Sequence, residues 1–197
     1  MDAFYATTQT QCPPVRVMLP KQAELHLVAG QRVLLNGTLY TARDAAHSRL
    51  QQLLLQNKPL PFELHGQIIY YTGPCPPQQG MPIGSCGPTT SSRMDAFMPN
   101  LLCAGLWGTM GKGPRSKAVV EEIKRFGAVY FAALGGGGAL LAQCVTQCNC
   151  IAFEDLGPEA VYALTVKDFP AIVAIDAMGN DIYTVGRAAY ANRQQAE

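Results

Sequence analysis

The chain has 197 residues, with 48% hydrophobic residues, 15% charged residues and a formal net charge of +1. This length predicts one compact domain with a substantial core, and the balanced charge argues against wholesale binding to nucleic acid or to an anionic membrane surface. The charged fraction is low against a usual value of about 25%, which indicates that a partner covers part of the surface.

The sequence also argues against a membrane protein and a secreted protein. The longest weakly polar run, 128–142, is interrupted by glycines and falls short of the ~18 apolar residues of a membrane span. The first residues lack the basic start and apolar core of a secretory signal. The seven cysteines are an odd number in a chain that does not need disulfides, which predicts a reduced, cytoplasmic setting.

The predicted organisation is an N-terminal arm at 1–20, a single domain at 21–191 and a polar tail at 192–197. The domain opens with a strand at 32–39 and a helix at 44–56. The elements predicted next are a strand at 68–72, a helix at 90–102, a helix at 116–126 and a strand at 128–134.

The clearest of these is the helix at 116–126, because Ser116 is a good N-cap and Gly127 a good C-terminal stop. After a small-residue helix at about 135–144, a β-hairpin is predicted from strands at 172–176 and 182–185. Strands that alternate with helices predict an α/β fold with a mostly parallel sheet, to which the late hairpin adds an antiparallel element.

The first candidate site is the segment 84–95, which runs from a glycine-rich turn into a predicted helix start. Free N–H groups, the hydroxyls of Thr89 and Thr90, and the Arg93 guanidinium can converge there on a carboxylate or phosphate. The alternative is a capped helix with a solvated Arg93.

Two further candidates lie where a predicted strand leads into a helix. Lys112 stands between Gly111 and Gly113 at a strand end, where parallel α/β sheets bind ligands. Arg43 stands at another such junction, and His47 follows it by four residues. The structural alternatives are a flexible loop with a solvated lysine, an arginine paired with its neighbours and a structural histidine.

The run Gly135–Gly138 and the cysteines give weaker signals. The glycines could hold an anion on backbone N–H groups or allow close packing of a helix, and they match no dinucleotide-binding or phosphate-binding loop. Cys144, Cys148 and Cys150 have the spacing C-x3-C-x-C, which matches neither a zinc site nor an iron–sulfur run. The sequence therefore predicts no complete metal site in this chain.

Several spaced motifs resemble one known family. GPTTSSRMD at 87–95 resembles the GPTT-x-x-RMD signature of class I, iron–sulfur-dependent fumarate hydratases, in the C-terminal or β part that L(+)-tartrate dehydratase shares. Further segments resemble motifs of that family in chain order: GTLYTARDAAH at 37–47, YTGP at 71–74, GKGPRS at 111–116, LGPEA at 156–160 and DFPA at 168–171. The resemblance spans about residues 30–185.

The resemblance implies an α/β fold of a particular kind, a swivelling β/β/α three-layer domain with a mostly parallel sheet. The family carries its [4Fe–4S] cluster on the α region, through three cysteines there, and this chain resembles the β region. The chain is therefore expected to work with an α subunit that holds the cluster, in an α₂β₂ assembly, and to form a homodimer when isolated.

By resemblance, Arg43, Thr90 and Arg93 bind substrate, and Thr89 and Lys112 are catalytic. Fumarate and malate are dianions, so cationic side chains can hold both carboxylates and stabilise the charge that develops in the reaction. The iron on the partner would polarise the departing hydroxyl. The resemblance implies that Thr89 transfers the C3 proton. The alternative is that a carboxylate of the partner transfers this proton and that Thr89 only positions the substrate.

The activity implied is the reversible hydration of fumarate to L-malate. Gly111 and Pro114 stand where many fumarases have Ala and Asn, so tartrate dehydratase and mesaconate hydratase stay open, although Arg115-Ser116 favours a fumarase. A non-catalytic dicarboxylate-binding module also stays open. A phosphate- or nucleotide-binding enzyme that uses the glycine run is a weaker hypothesis.

Overall fold

A computed structural model describes residues 13–186 of the chain. The first part of the predicted arm, 1–12, and the predicted tail at 192–197 lie outside the described residues. The rest of the predicted arm contains a strand at Val15–Leu19, which pairs in parallel with the next strand of the chain.

One sheet contains all seven strands of the described part of the chain. They are β1 (Val15–Leu19), β2 (Arg32–Thr41), β3 (Ile68–Tyr70), β4 (Gly108–Gly111), β5 (Val129–Ala132), β6 (Val145–Ala152) and β7 (Val161–Ile175), in the spatial order β1-β2-β3-β4-β5-β7-β6. The strands predicted at 32–39, 68–72 and 128–134 are confirmed as β2, β3 and β5.

The long strand β7 partly closes this sheet into a five-stranded barrel. Neighbours from β1 to β5 are parallel, whereas β7 runs antiparallel to β2, β5 and β6. Because β7 pairs with β2 on one side and with β5 on the other, β2, β3, β4, β5 and β7 form a ring. The fold is therefore mixed α/β, with a parallel half and an antiparallel half.

Four helices of the described residues precede β7: α1 (Asp44–Leu55), α2 (Met98–Cys103), α3 (Lys117–Phe126) and α4 (Gly138–Ala142), with 3₁₀ segments at Ser91–Phe97 and Glu154–Glu159. The predicted caps of α3 are confirmed: Ser116 Oγ accepts a hydrogen bond from the Val119 N–H, and Gly127 takes the left-handed conformation with φ 61°.

The single helix predicted at 90–102 is wrong in detail, because the chain forms a 3₁₀ segment first and α2 afterwards. Pro99 lies in the first turn of α2, where its missing N–H costs nothing, and so marks a new helix start. The helix predicted at about 135–144 is the shorter α4.

The hairpin predicted from 172–176 and 182–185 is also wrong. Residues 182–186 are helical, and one antiparallel bridge joins Ile175 to Asp181. The Asp181 carboxylate accepts hydrogen bonds from the Tyr183 N–H at 2.9 Å and the Thr184 hydroxyl at 3.1 Å, which favours a helix start over a strand. The antiparallel element near the end of the domain is instead the pairing of β6 with β7.

The core consists of two hydrophobic clusters on opposite faces of the sheet. Adjacent residues of one strand belong to different clusters, as Ile69 and Tyr70 of β3 and Tyr130 and Phe131 of β5 do. The second cluster also contains the buried faces of α1, α2 and α3. No helix within 13–186 is long and apolar enough to cross a bilayer.

Candidate active site

The candidate residues gather at one edge of the sheet, beyond the carboxyl ends of β2, β3 and β4. Arg43 follows the end of β2 by two residues, and Lys112 directly follows β4. Because β2, β3 and β4 run parallel, their carboxyl ends meet at the same edge. The strand-end placement predicted for both cations is thus confirmed.

The segment that contains Thr89 and Thr90 lies between the extensions of β3 and β4. The Thr89 N–H donates to the Tyr71 carbonyl at 2.7 Å, and the Thr89 carbonyl accepts from the Lys112 N–H at 3.1 Å. The Ser91 N–H then donates to the Lys112 carbonyl at 2.9 Å, and Thr90 pairs with Lys112 in a parallel bridge. This pairing places both threonines beside Lys112. Thr90 is the N-cap of the 3₁₀ segment, but its side chain makes no capping hydrogen bond.

Two buried hydroxyls hold the turn before Thr89. The Thr72 hydroxyl donates to the Gly87 carbonyl at 2.8 Å, and the Tyr70 hydroxyl donates to the Cys86 carbonyl at 2.5 Å. The glycine run contributes close packing here, because a Cβ atom on Gly138 would lie only 2.8 Å from the Gly87 nitrogen. The geometry at Gly138 therefore favours close packing of the helix over anion binding.

Arg43 lies against Gly73 and pairs with Glu159. Its Nη2 is 3.2 Å from Glu159 Oε1, while Glu159 Oε2 accepts a hydrogen bond from the Ala45 N–H at the start of α1. A Cβ atom on Gly73 would lie 2.9 Å from Arg43 Nη1, so the glycine leaves room for the guanidinium. Arg43 Nε is buried and has no hydrogen-bond partner among residues 13–186, which leaves it available to an added acceptor.

Arg93 is paired and half-exposed rather than free in solvent. Its Nε donates to Asp44 Oδ1 at 3.0 Å, and its Nη2 lies 2.8 Å from Asp44 Oδ2. Since Asp44 is the residue after Arg43 in the chain, this ion pair ties the segment of Arg93 to the helix start beside Arg43.

His47 is a buried neighbour of this edge with a structural role. Its Nδ1 lies 2.9 Å from the Arg43 carbonyl, and its ring meets the Tyr71 ring edge-on at 5.3 Å between centroids. Burial lowers the pKa of His47 to about 4, so the ring is neutral at neutral pH. This result supports the structural interpretation of His47.

Sequence reasoning did not identify the structural contacts that Arg115 and Glu159 make near this edge. Arg115 is fully buried; its Nε donates to Asp95 Oδ1 at 2.7 Å and its Nη1 to Tyr71 Oη and Thr109 Oγ1, each at 3.2 Å. Arg115 belongs to the family motif at 111–116 and Glu159 to the one at 156–160, so those motifs were the signal that could have found them.

The described residues do not form a ligand set for a metal cluster. No group of three or more His, Cys, Asp or Glu side chains within 13–186 could hold a metal ion. The six cysteines described there are free thiols, of which Cys86 is buried and Cys75, Cys103 and Cys150 are exposed. Cys12 lies outside the described residues.

The chain belongs to the family described as "Fumarase C-terminus", whose sequence model matches residues 4–186. This is the C-terminal or β region of class I fumarate hydratases, as the motifs at 87–95 and 111–116 indicated.

Its relatives include "Fumarate hydratase 2" of Leishmania major, 42% identical over 79% of this chain, and "Fumarate hydratase class I, anaerobic" of Escherichia coli, 39% identical over 77%. The chain spans only 28% of the length of each of these two relatives. "Putative L(+)-tartrate dehydratase subunit beta" of Methanocaldococcus jannaschii is 40% identical over 84% of this chain, and there the match covers 88% of the relative.

Proposed function

We propose that this chain is the β subunit of a hydro-lyase that reversibly hydrates fumarate to L-malate, and that it supplies the dicarboxylate-binding part of the active site. The name of the relative from M. jannaschii supports a β subunit, because the match with this chain covers 88% of that relative. The observation that carries the proposal is the gathering of Arg43 and Lys112 with Thr89, Thr90 and Arg93 at one sheet edge.

The charges of this edge suit a dianion. Arg43 has a buried N–H without a partner in the described part of the chain, and Arg93 is half-exposed. The exposed Lys112 extends from a loop that is fixed to the Thr89 segment. Guanidinium and ammonium groups bind carboxylates strongly, and more so where water is excluded. In the reaction, water adds across the C2–C3 double bond, and the developing negative charge passes to a carboxylate that these cations hold.

The C3 proton needs a donor and acceptor. We assign the transfer of this proton to Thr89, whose backbone carbonyl accepts a hydrogen bond from the Lys112 N–H. The alternative is a carboxylate of the partner, in which case Thr89 positions the substrate. Thr90 binds the substrate beside Lys112.

The iron–sulfur cluster of this enzyme class is proposed to belong to an α partner. The described residues do not fit a cluster, because they contain no group of three suitable ligands. An α₂β₂ assembly satisfies closed symmetry, and a swivelling three-layer domain would let the β subunit close on the α subunit around the substrate.

A second substrate class has its own support. The relative that matches over nearly its whole length carries the name of a tartrate dehydratase β subunit. Gly111, next to Lys112, is also where this chain departs from many fumarases. L(+)-tartrate is therefore the second candidate substrate and mesaconate the third, and a non-catalytic dicarboxylate-binding module is the alternative outside catalysis.

The test is anaerobic co-expression with the α frame, followed by cluster reconstitution and parallel assays of L-malate, L-tartrate and mesaconate. The proposal expects turnover that requires both chains and is fastest with L-malate. Fastest turnover of L-tartrate would replace the substrate and keep the subunit assignment. An associated, cluster-loaded complex that turns over none of the three would refute the hydro-lyase proposal.

A further inference from the structure

The loop that carries Lys112 has little packing of its own. Lys112 is exposed, and a Cβ atom on Gly113 would meet no atom within 4 Å. Gly113 has a φ of 82°, a conformation that suits glycine. The position of this loop therefore depends on hydrogen bonds to neighbouring segments.

A buried chain of two hydroxyls supplies such hydrogen bonds. The Tyr130 hydroxyl donates to the Gly113 carbonyl at 2.8 Å, and Ser91 Oγ lies 2.8 Å from the same Tyr130 oxygen. Since Tyr130 gives its single proton to Gly113, the Ser91 hydroxyl donates to Tyr130. Burial raises the pKa of Tyr130, which keeps its hydroxyl protonated and able to donate.

We infer that Ser91 and Tyr130 are positioning residues that hold Lys112 in the geometry needed for substrate, an inference that rests on the proposed function. Ser91 acts on the loop from two directions, because its N–H also donates to the Lys112 carbonyl at 2.9 Å. The carbonyls of Lys112 and Gly113 thus both receive hydrogen bonds from this pair.

The backbone at Gly111 is shaped to admit the Ser91 side chain. A Cβ atom on Gly111 would collide with Ser91 Oγ and would lie 2.8 Å from Tyr71 Cδ2. The missing methyl group at 111, where many fumarases have alanine, leaves the space that the Ser91 hydroxyl fills. The serine at 91 and the glycine at 111 therefore work as a pair.

The test compares Tyr130→Phe and Ser91→Ala with the control Tyr40→Phe, in full chains assembled with the α partner. Tyr40 stacks on Phe62, and the control removes a phenolic hydroxyl from a strand outside the Lys112 loop. The first readout is hydrogen exchange at the Lys112 N–H, which bonds to Thr89. Tyr130→Phe should speed this exchange about tenfold and Ser91→Ala less, while Tyr40→Phe leaves it unchanged.

The second readout is steady-state kinetics on the substrate that the wild-type complex turns over. Misplacement of Lys112 should lower kcat/KM by about tenfold to a hundredfold in Tyr130→Phe. The double variant should lose little more than Tyr130→Phe alone, because both hydroxyls act through the bond to Gly113.

The two readouts separate the inference from the proposed function. Wild-type complex without turnover, with faster Lys112 exchange in Tyr130→Phe, would refute the function and keep the positioning role. Unchanged exchange and unchanged kcat/KM in a folded Tyr130→Phe complex would overturn the positioning role while the function stands.

Discussion

Arg93 and Asp44 meet side by side, with Arg93 Nε donating to Asp44 Oδ1 at 3.0 Å and Arg93 Nη2 lying 2.8 Å from Asp44 Oδ2. Their side chains are 49% and 33% exposed. Because ion pairs in water are screened and weak, Asp44→Asn should lower the free energy of unfolding by less than about 1 kcal/mol. Urea unfolding at low and high salt measures this, and a loss of several kcal/mol would contradict it.

The ion pair of Arg115 with Asp95 should contribute much more to the free energy of unfolding than the pair of Arg93 with Asp44. The Arg115 side chain is fully buried, and Asp95 also accepts a hydrogen bond from the Ser116 N–H at 2.8 Å. Arg115→Met leaves the Asp95 carboxylate without its cation, so the free energy of unfolding should fall by about 3–5 kcal/mol. Arg93→Met, which removes the cation of the partly exposed pair, is the control and should lose less than about 1 kcal/mol. Equal losses in Arg115→Met and Arg93→Met would show that burial does not distinguish the two ion pairs.

The space at Gly111 leads to a third prediction. Gly111→Ala should lower the free energy of unfolding by about 1–3 kcal/mol, because the new methyl group collides with Ser91 Oγ. Adding Ser91→Ala should recover part of that loss. Gly135→Ala is the control, since a Cβ atom there meets no atom within 4 Å. A stable Gly111→Ala single variant would refute the close fit.

His47 should make stability depend on pH. Its pKa is about 4 in the folded chain, against 6.5 in an exposed histidine, because burial disfavours the charged ring. The unfolded chain therefore binds this proton first as pH falls, so the stabilisation is complete above pH 6.5 and declines toward pH 4. At pH 5 the decline from this group is about 2 kcal/mol.

Urea unfolding of wild type and His47→Asn at neutral pH and at pH 5 measures the contribution of His47. The variant should lose less stability than wild type between the two pH values. His65→Gln, at an exposed position, should keep the wild-type difference. A wild-type difference that persists in His47→Asn would assign the pH dependence to other groups.

Local signals in the sequence were enough to predict those elements whose ends are marked by capping residues. The helix α3 was predicted correctly because Ser116 and Gly127 lie next to it in the chain. The strand β7 could be recognised only in its last residues, since Asp168, with a φ of 49°, and Pro170 interrupt its pattern. Its length is explained by pairing with β2 and β5, which are distant in the sequence.

In the candidate site, too, the sequence predicted local placement but not contacts between residues that are distant along the chain. The motifs located Arg43 and Lys112 correctly at strand ends, because that placement follows from local order along the chain. They could not show that Arg43 pairs with Glu159 across more than a hundred residues, or that Tyr130 reaches Gly113 from another strand. The first contact depends on the pairing of β2 with β7, and the second on the pairing of β4 with β5.

The central claim is that this chain supplies the cations that bind the dicarboxylate, and kcat/KM of the reconstituted complex with Arg93→Ala tests it most directly. Loss of an oriented charged donor should lower kcat/KM at least about a hundredfold. Arg125→Ala, which removes an exposed arginine of α3, should match wild type. An Arg93→Ala complex with full wild-type turnover would contradict the claim.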